Sequence, residues 1–159
     1  MISMLQQLFM VPEFRYQLLK AVDNSPENIQ EHKGDKIDDR LLIQLQKLFG
    51  FLELSERHAY NPKELCFSIK DYDGTPIRTG EQKDSQEFVG VFFERLETLL
   101  KPTTQRYLLQ DTFQGNMCSQ FICQSCGKVK NRLELFYTLS LQVKNCTGIT
   151  DSLSQLIKG

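Results

Sequence analysis

Two short clusters hold the residue types able to do chemistry. In Gln82-Lys83-Asp84-Ser85-Gln86-Glu87-Phe88, carboxylates and amides gather at the head of an apolar stretch, a setting for charge-assisted hydrogen bonds to a basic ligand. The same residues also admit a purely local reading. The Asp84 carboxylate would accept the backbone amide of Glu87 while Glu87 reaches back to the amide of Asp84, a capping box that needs no ligand and that the helix dipole favours. The second cluster, Cys123-Gln124-Ser125-Cys126-Gly127, has the knuckle form in which two thiolates converge on one tetrahedral zinc and glycine permits the tight turn. It is half a site. Cys118 and Cys146 lack the paired spacing that would complete it, and Cys146 is read as a small buried or surface residue. Thiol catalysis needs a histidine to lower the cysteine pKa and an oriented partner for that histidine. The sequence offers only His32, in a polar tract, and His58, near the end of a helical stretch. Cys66 follows His58 by eight residues but lies in an apolar helical pattern and is read as core. No residue is assigned a catalytic role.

The elements that must position these clusters change character along the chain. Met1, Met4, Leu5, Leu8 and Phe9 recur at helical spacing, and Pro12 opens a second helical pattern through Phe14, Leu18, Leu19 and Val22. Residues 23–35 are polar and are read as a surface loop. Leu41, Leu42, Leu45, Leu48, Phe49 and Leu52 form a long amphipathic stripe, and Asn61-Pro62 caps a short helix through Leu65, Cys66 and Ile69. Turn chemistry at 71–76 and a break at Thr79-Gly80 precede the acidic cluster. The helix after it carries Phe88, Val91, Phe92, Leu96, Leu99 and Leu100 on one face and stops at Pro102.

Beyond Thr112 the pattern suits strands. Phe113, Met117, Phe121 and Ile122, then Leu133, Leu135, Phe136, Tyr137, Leu139, Leu141 and Val143, predict half-buried strands on either side of the Cys-x-x-Cys-Gly turn. Thr150 or Asp151 is expected to cap a last amphipathic helix with Leu153, Leu156 and Ile157. The fold class predicted is α+β, helical over 1–110 and β-rich over 111–159.

Composition narrows the function classes. With 19 basic against 20 acidic residues, nothing drives the chain toward nucleic acid or anionic lipid. The apolar N-terminus is too short to span a bilayer and lacks a basic n-region, so neither a signal peptide nor a membrane span is expected. Five cysteines, an odd number, favour a reduced cytoplasmic or nuclear compartment over a disulfide framework.

The acidic cluster and the thiol pair, in this order, resemble the ubiquitin-specific protease family of cysteine deubiquitinases. Its second sequence box reads close to Gln-Gln-Asp-Ala-Gln-Glu-Phe and precedes a zinc-ribbon finger opened by a Cys-x-x-Cys pair. Ser3-Met4-Leu5-Gln6-Gln7-Leu8-Phe9 is similar to the end of the first box, and 139–143 and 151–159 to the finger strand and short helix that follow the first zinc pair. Residues 79–84 and the closing Lys158-Gly159 lean toward the large fat-facets-like members. The resemblance implies that residues 1–110 are a helical thumb and 111–159 the first half of the fingers, an incomplete papain-like fold. It implies a nucleophilic cysteine two residues before Met1, and a histidine box and a second Cys-x-x-Cys further along, so that the chain is a fragment inactive by itself. A complete protease of this family is about twice this size or more.

Gln82, Asp84, Gln86 and Glu87 fall on positions that in the family face the C-terminal tail of ubiquitin. That tail bears arginine and ends in two glycines, which carboxylates and a narrow channel suit. Ile2 departs from the family's usual asparagine, and Lys83 from its Gln or His, setting a positive charge beside the acids. Cys123 and Cys126 would be the first zinc pair. The implied partners are ubiquitin and ubiquitinated proteins. Two rival readings remain: a non-catalytic ubiquitin-binding scaffold, or pseudo-deubiquitinase, and an unrelated zinc-ribbon adaptor in which the acidic cluster only caps a helix.

Overall fold

The computed structural model describes residues 2–22, 40–77 and 84–158. The polar tract with His32, the Thr79-Gly80 break, Gln82 and Lys83 lie outside the described residues. Leucine spacing decides the first two helices. α1 (Ile2–Phe9) turns Leu5 and Leu8 inward, and Pro12 begins α2 (Pro12–Lys20), where its missing amide leaves no helical hydrogen bond unmade. Phe14 and Leu18 of α2 are fully buried. α3 (Arg40–Leu54) buries Leu41, Leu42, Leu45, Leu48 and Phe49, whereas Leu52 of the same stripe faces outward.

α4 (Lys63–Ser68) starts where the Asn61 side-chain oxygen accepts the Lys63 amide at 3.1 Å. α5 (Ser85–Leu100) buries Phe88, Val91, Phe92, Phe93, Leu96, Leu99 and Leu100 and ends just before Pro102, which has no amide to continue it. A further helix, α6 (Leu108–Phe113), follows where no helix was expected. Phe113 therefore ends a helix and does not open a strand. Its ring lies 5.2 Å from that of Phe14 and 5.3 Å from that of Phe93.

Polar side chains tie the helix ends together. Arg15 donates from Nη1 to the Phe9 carbonyl at 2.9 Å, satisfying an orphan acceptor at the end of α1, and its Nε meets Glu53 of α3 at 3.1 Å. Gln46 of α3 likewise donates to the Leu18 and Ala21 carbonyls at 2.9 and 2.8 Å, closing the end of α2. These helices form one compact unit, Met1–Phe113.

The second unit, Gln114–Gly159, is built on a hairpin. β1 (Gly115–Ile122) and β2 (Val129–Phe136) pair antiparallel, with Gly115 opposite Phe136 and Ile122 opposite Val129. The Phe136 ring lies across Gly115 so closely that a Cβ there would collide with it. The chain is α+β, as its sequence predicts, but the strands differ from expectation in two ways. They are mostly exposed, with Leu133 at 69% and Leu135 at 63%, because a two-stranded hairpin has no layer of its own to cover its faces. And β2 ends at Phe136, so the alternating run through Leu139, Leu141 and Val143 is not a strand.

α7 (Ile149–Lys158) begins earlier than its expected caps. Ser152 donates its amide to the Gly148 carbonyl, which places the first helical bond at Gly148 and Thr150 inside the helix. The Asp151 carboxylate instead reaches back to the Thr147 amide at 3.1 Å. Among the described residues no helix is long and apolar enough to cross a membrane.

Candidate functional site

Asp84 is the N-cap of α5, with extended backbone and one carboxylate oxygen, Oδ1, accepting the amides of Gln86 at 2.8 Å and Glu87 at 3.0 Å. That is the half of the capping box that satisfies orphan donors. The reciprocal bond is not formed: among the described residues the Glu87 carboxylate does not return to the Asp84 amide. The difference matters chemically. Asp84, Gln86 and Glu87 are all exposed on the first turn, and the cap uses only Oδ1 of Asp84. Three of the four expected ubiquitin-contacting residues thus share one helix end, and Gln82 lies outside the described residues.

A neighbour that the sequence did not single out stands beside this helix. The turn at 71–75 is fixed by Asp73, whose carboxylate accepts the Thr75 amide and hydroxyl, and by Gly74 with φ at +79°, a left-handed conformation that glycine adopts without strain. Arg95 of α5 holds the turn against the helix, donating Nη2 to the Asp71 carbonyl at 2.6 Å. The exposed Tyr72 hydroxyl consequently stands 3.8 Å from where a Cβ on Gly90 would lie, one helical turn beyond Glu87. Turn residues announced the bend, but only the fold shows that it delivers an aromatic side chain to the acidic face.

The thiol pair occupies the tip of the β1–β2 hairpin. Cys123 donates its amide to the Lys128 carbonyl at 2.9 Å, Gly127 donates to the Cys123 carbonyl at 2.8 Å, and Gly127 takes φ at +66°. This closed turn aims amides at the first sulfur. The Cys123 thiol is held below its usual pKa, first by the backbone amide of Cys126, then by the Cys126 side chain and the Ser125 amide. Amides that stabilise a thiolate also suit a metal-bound one, so the pair fits zinc as two adjacent soft donors. Among the described residues no cluster of three or more metal-binding side chains forms, and Cys118 and Cys146 do not join the pair.

The model of the ubiquitin carboxyl-terminal hydrolase family matches residues 1–154, which takes in α1 to α6 and the hairpin. The chain belongs to the ubiquitin carboxyl-terminal hydrolase family. It is 33% identical over 159 residues to ubiquitin carboxyl-terminal hydrolase 34 of Homo sapiens, a match covering 97% of this chain and 4% of the relative. To ubiquitin carboxyl-terminal hydrolase puf of Drosophila melanogaster it is 31% identical over 156 residues, 98% of this chain and 4% of that protein. A third relative, the probable ubiquitin carboxyl-terminal hydrolase FAF of Drosophila melanogaster, is 28% identical over 196 residues, with 99% and 7% covered. The chain thus spans only 4% to 7% of the length of these relatives. Fat-facets-like members are among them, in keeping with residues 79–84.

The buried cysteine is a poor nucleophile. Cys66 is 2% exposed within α4, and burial pushes its thiol pKa up, the reverse of what activation needs. His58 is exposed beyond the end of α3. We expect Cys66 to react with a soluble disulfide reagent at least ~10-fold more slowly than Cys118, Cys123 and Cys126, which are exposed. Peptide mapping by mass spectrometry measures this, with denaturant removing the difference. Equal rates in the native state would mean that α4 is open and Cys66 available.

Proposed function

We propose that this chain supplies the ubiquitin-tail binding surface of a cysteine deubiquitinase, an enzyme that hydrolyses the peptide or isopeptide bond after the terminal glycine of ubiquitin. The observation that carries the reading is the division of labour at α5. One oxygen of Asp84 satisfies the helix end, while its second oxygen is not used by the cap and Glu87 is exposed beside it. Two exposed acids one turn apart, flanked by Tyr72, suit an extended segment that carries arginine and then narrows to glycine. Gln82 and Gln86 belong to the same surface through the family resemblance.

Cys123 and Cys126 supply two ligands of a structural zinc that would fix the hairpin tip. Five unpaired cysteines suit a reducing compartment, the cytoplasm or nucleus. In this reading residues 1–110 are the thumb and 111–159 the first part of the fingers. The partners are ubiquitin and ubiquitinated proteins.

The chain by itself is expected to hold the tail without cutting it. Isotope-labelled ubiquitin titrated with the chain should show shifts confined to its C-terminal tail, abolished by about 1 M salt because the contacts are exposed and charged. A ubiquitin-amide fluorogenic substrate should remain intact, and a ubiquitin probe with a thiol-reactive warhead should leave Cys66 unlabelled. Tail shifts absent at millimolar chain would overturn the binding role. Labelling of Cys66 would overturn the division between holding and cleavage.

A further inference from the structure

We propose that Tyr72, Gly90 and Glu87 form a subsite for one arginine of the ubiquitin tail, in which the guanidinium lies flat on the Tyr72 ring while the Glu87 carboxylate pairs with its edge. Tyr72 is then a specificity-determining residue that selects arginine over lysine. The inference rests on the proposed function and adds to it which side chain of the tail is read and how.

Tyr16, Phe67, Tyr72 and Tyr107 are the exposed aromatic side chains of the first unit. Three of them carry a cation of the chain itself. Lys20 stands 3.8 Å from the centre of the Tyr16 ring, Arg106 4.8 Å from that of Tyr107 and Lys63 5.8 Å from that of Phe67. Tyr72 is the most exposed of the set, at 66%, and among the described residues no cation covers it. Its ring therefore offers an electron-rich face to a cation from outside. The charges beside it favour the same kind of ligand. Glu87 lies one turn before Gly90 and Glu94 one turn after, both exposed and on the same side of α5.

Gly90 supplies the room. Glycine inside an exposed stretch of helix lowers stability relative to alanine, and no left-handed backbone requires it here, since the glycines of positive φ are Gly74 and Gly127. Close packing does not require it either, because the nearest group a Cβ would meet is the Tyr72 hydroxyl at 3.8 Å. What it leaves is bare backbone between two acids and beside a ring, a floor on which a planar group can lie. The ring is held ready. The Asp71 amide donates to the Thr75 carbonyl at 2.9 Å, and buried Ile69 and Ile77 pin the ends of the turn through a 3.0 Å bond from the Ile77 amide to the Ile69 carbonyl. Arg95 adds its bond to the Asp71 carbonyl, although its own Nε is buried and unpartnered among the described residues. A side chain presented by so fixed a turn has little freedom to lose on binding. Lysine, a point charge on a flexible stem, can meet Glu87 but cannot lie flat on the ring.

The test titrates isotope-labelled ubiquitin, and ubiquitin with its tail arginines changed to lysine one at a time, with the parent chain, Tyr72→Phe, Tyr72→Leu and Gly90→Gln. The parent is expected to bind the native tail about 10-fold more tightly than one of the lysine forms. Tyr72→Leu should weaken binding of the native tail about 5-fold and leave that lysine form unaffected, so that the preference shrinks to about 2-fold. Tyr72→Phe keeps the ring and should stay within about 2-fold of the parent. Gly90→Gln should raise the urea midpoint, because glutamine is the better helix former, while weakening binding about 5-fold by filling the floor. A merely structural glycine would not give effects of opposite sign. With tail shifts present in the parent, an undiminished arginine preference in Tyr72→Leu, or equal binding of every lysine form by the parent, would overturn the subsite and leave the acidic surface standing. Equal losses in Tyr72→Phe and Tyr72→Leu would make the hydroxyl the reader and overturn the stacking. Unchanged binding by Gly90→Gln would overturn the floor. Absence of tail shifts with the parent would overturn the proposed function itself, and this inference with it.

Discussion

In a ubiquitin hydrolase containing this chain, replacing Asp84 with Asn and Glu87 with Gln together is expected to lower turnover of ubiquitin substrates by about 100-fold while changing stability by less than about 1 kcal/mol. The separation of the two effects follows from the geometry of α5. Capping uses one oxygen of Asp84, and asparagine keeps an oxygen in that place, among the best N-cap side chains known. Glu87 makes no return bond to the Asp84 amide, so its replacement removes no hydrogen bond that the helix uses. What both changes remove is negative charge at a site proposed to hold arginine. Hydrogen bonds to a charged partner contribute roughly 1.5–3 kcal/mol each, and losing most of that across two residues gives about two decades in rate.

The measurements are steady-state kinetics on a ubiquitin-amide substrate and urea unfolding of the same protein. Asp84→Ala is the control for the cap and should cost about 1 kcal/mol of stability. Unchanged kinetics in the double variant would reduce the cluster to a helix cap. A stability loss well beyond 1 kcal/mol would mean that its charge, not its hydrogen-bonding shape, holds the helix end.

The parts of this molecule legible in its sequence are those where periodicity reports burial directly. α3 and α5 are long, and their leucines and phenylalanines repeat at i, i+3 and i+4, so stripe and buried face coincide except at Leu52. α6 escaped notice because it has only six residues, too few for a period, and follows a turn built on Thr103. The hairpin was legible in its pairing and its turn but not in its burial. Alternation says which side chains share a face, whereas cover for that face must come from another layer. The acidic cluster was the reverse case. Its sequence fits both a reciprocal capping box and a ligand site, and only the fold shows that Asp84 caps while Glu87 does not answer. Tyr72 was invisible as a neighbour of that site because its position depends on a bond from Arg95, 23 residues away in sequence and adjacent only in the fold.

The same contrast between pattern and cover leads to the largest stability effect expected. Phe14 and Phe121 both sit in apolar stretches, yet Phe14 is 0% exposed and Phe121 59%. Phe14 projects from α2 into the space between α3 and α6, meeting the ring of Phe49 at 6.1 Å and that of Phe113 at 5.2 Å, both edge-on. Truncation to alanine removes the transfer free energy of a whole ring, the two aromatic contacts and the filling of a site that three helices cannot close by small shifts. The cost is expected at ~3–5 kcal/mol, a large share of what holds a domain of this size folded. Phe14→Leu refills part of the volume and should recover about half of that loss. Phe121→Ala lies on the open hairpin and should fall within about 0.5 kcal/mol of the parent. Urea midpoints of the three variants, read by helical circular dichroism, decide the matter. Should Phe14→Ala unfold at nearly the parent's midpoint, the helices would not be locked together through this ring, and the positioning of α5 and its acidic end would have to be credited to contacts elsewhere along the Leu96 to Leu100 face.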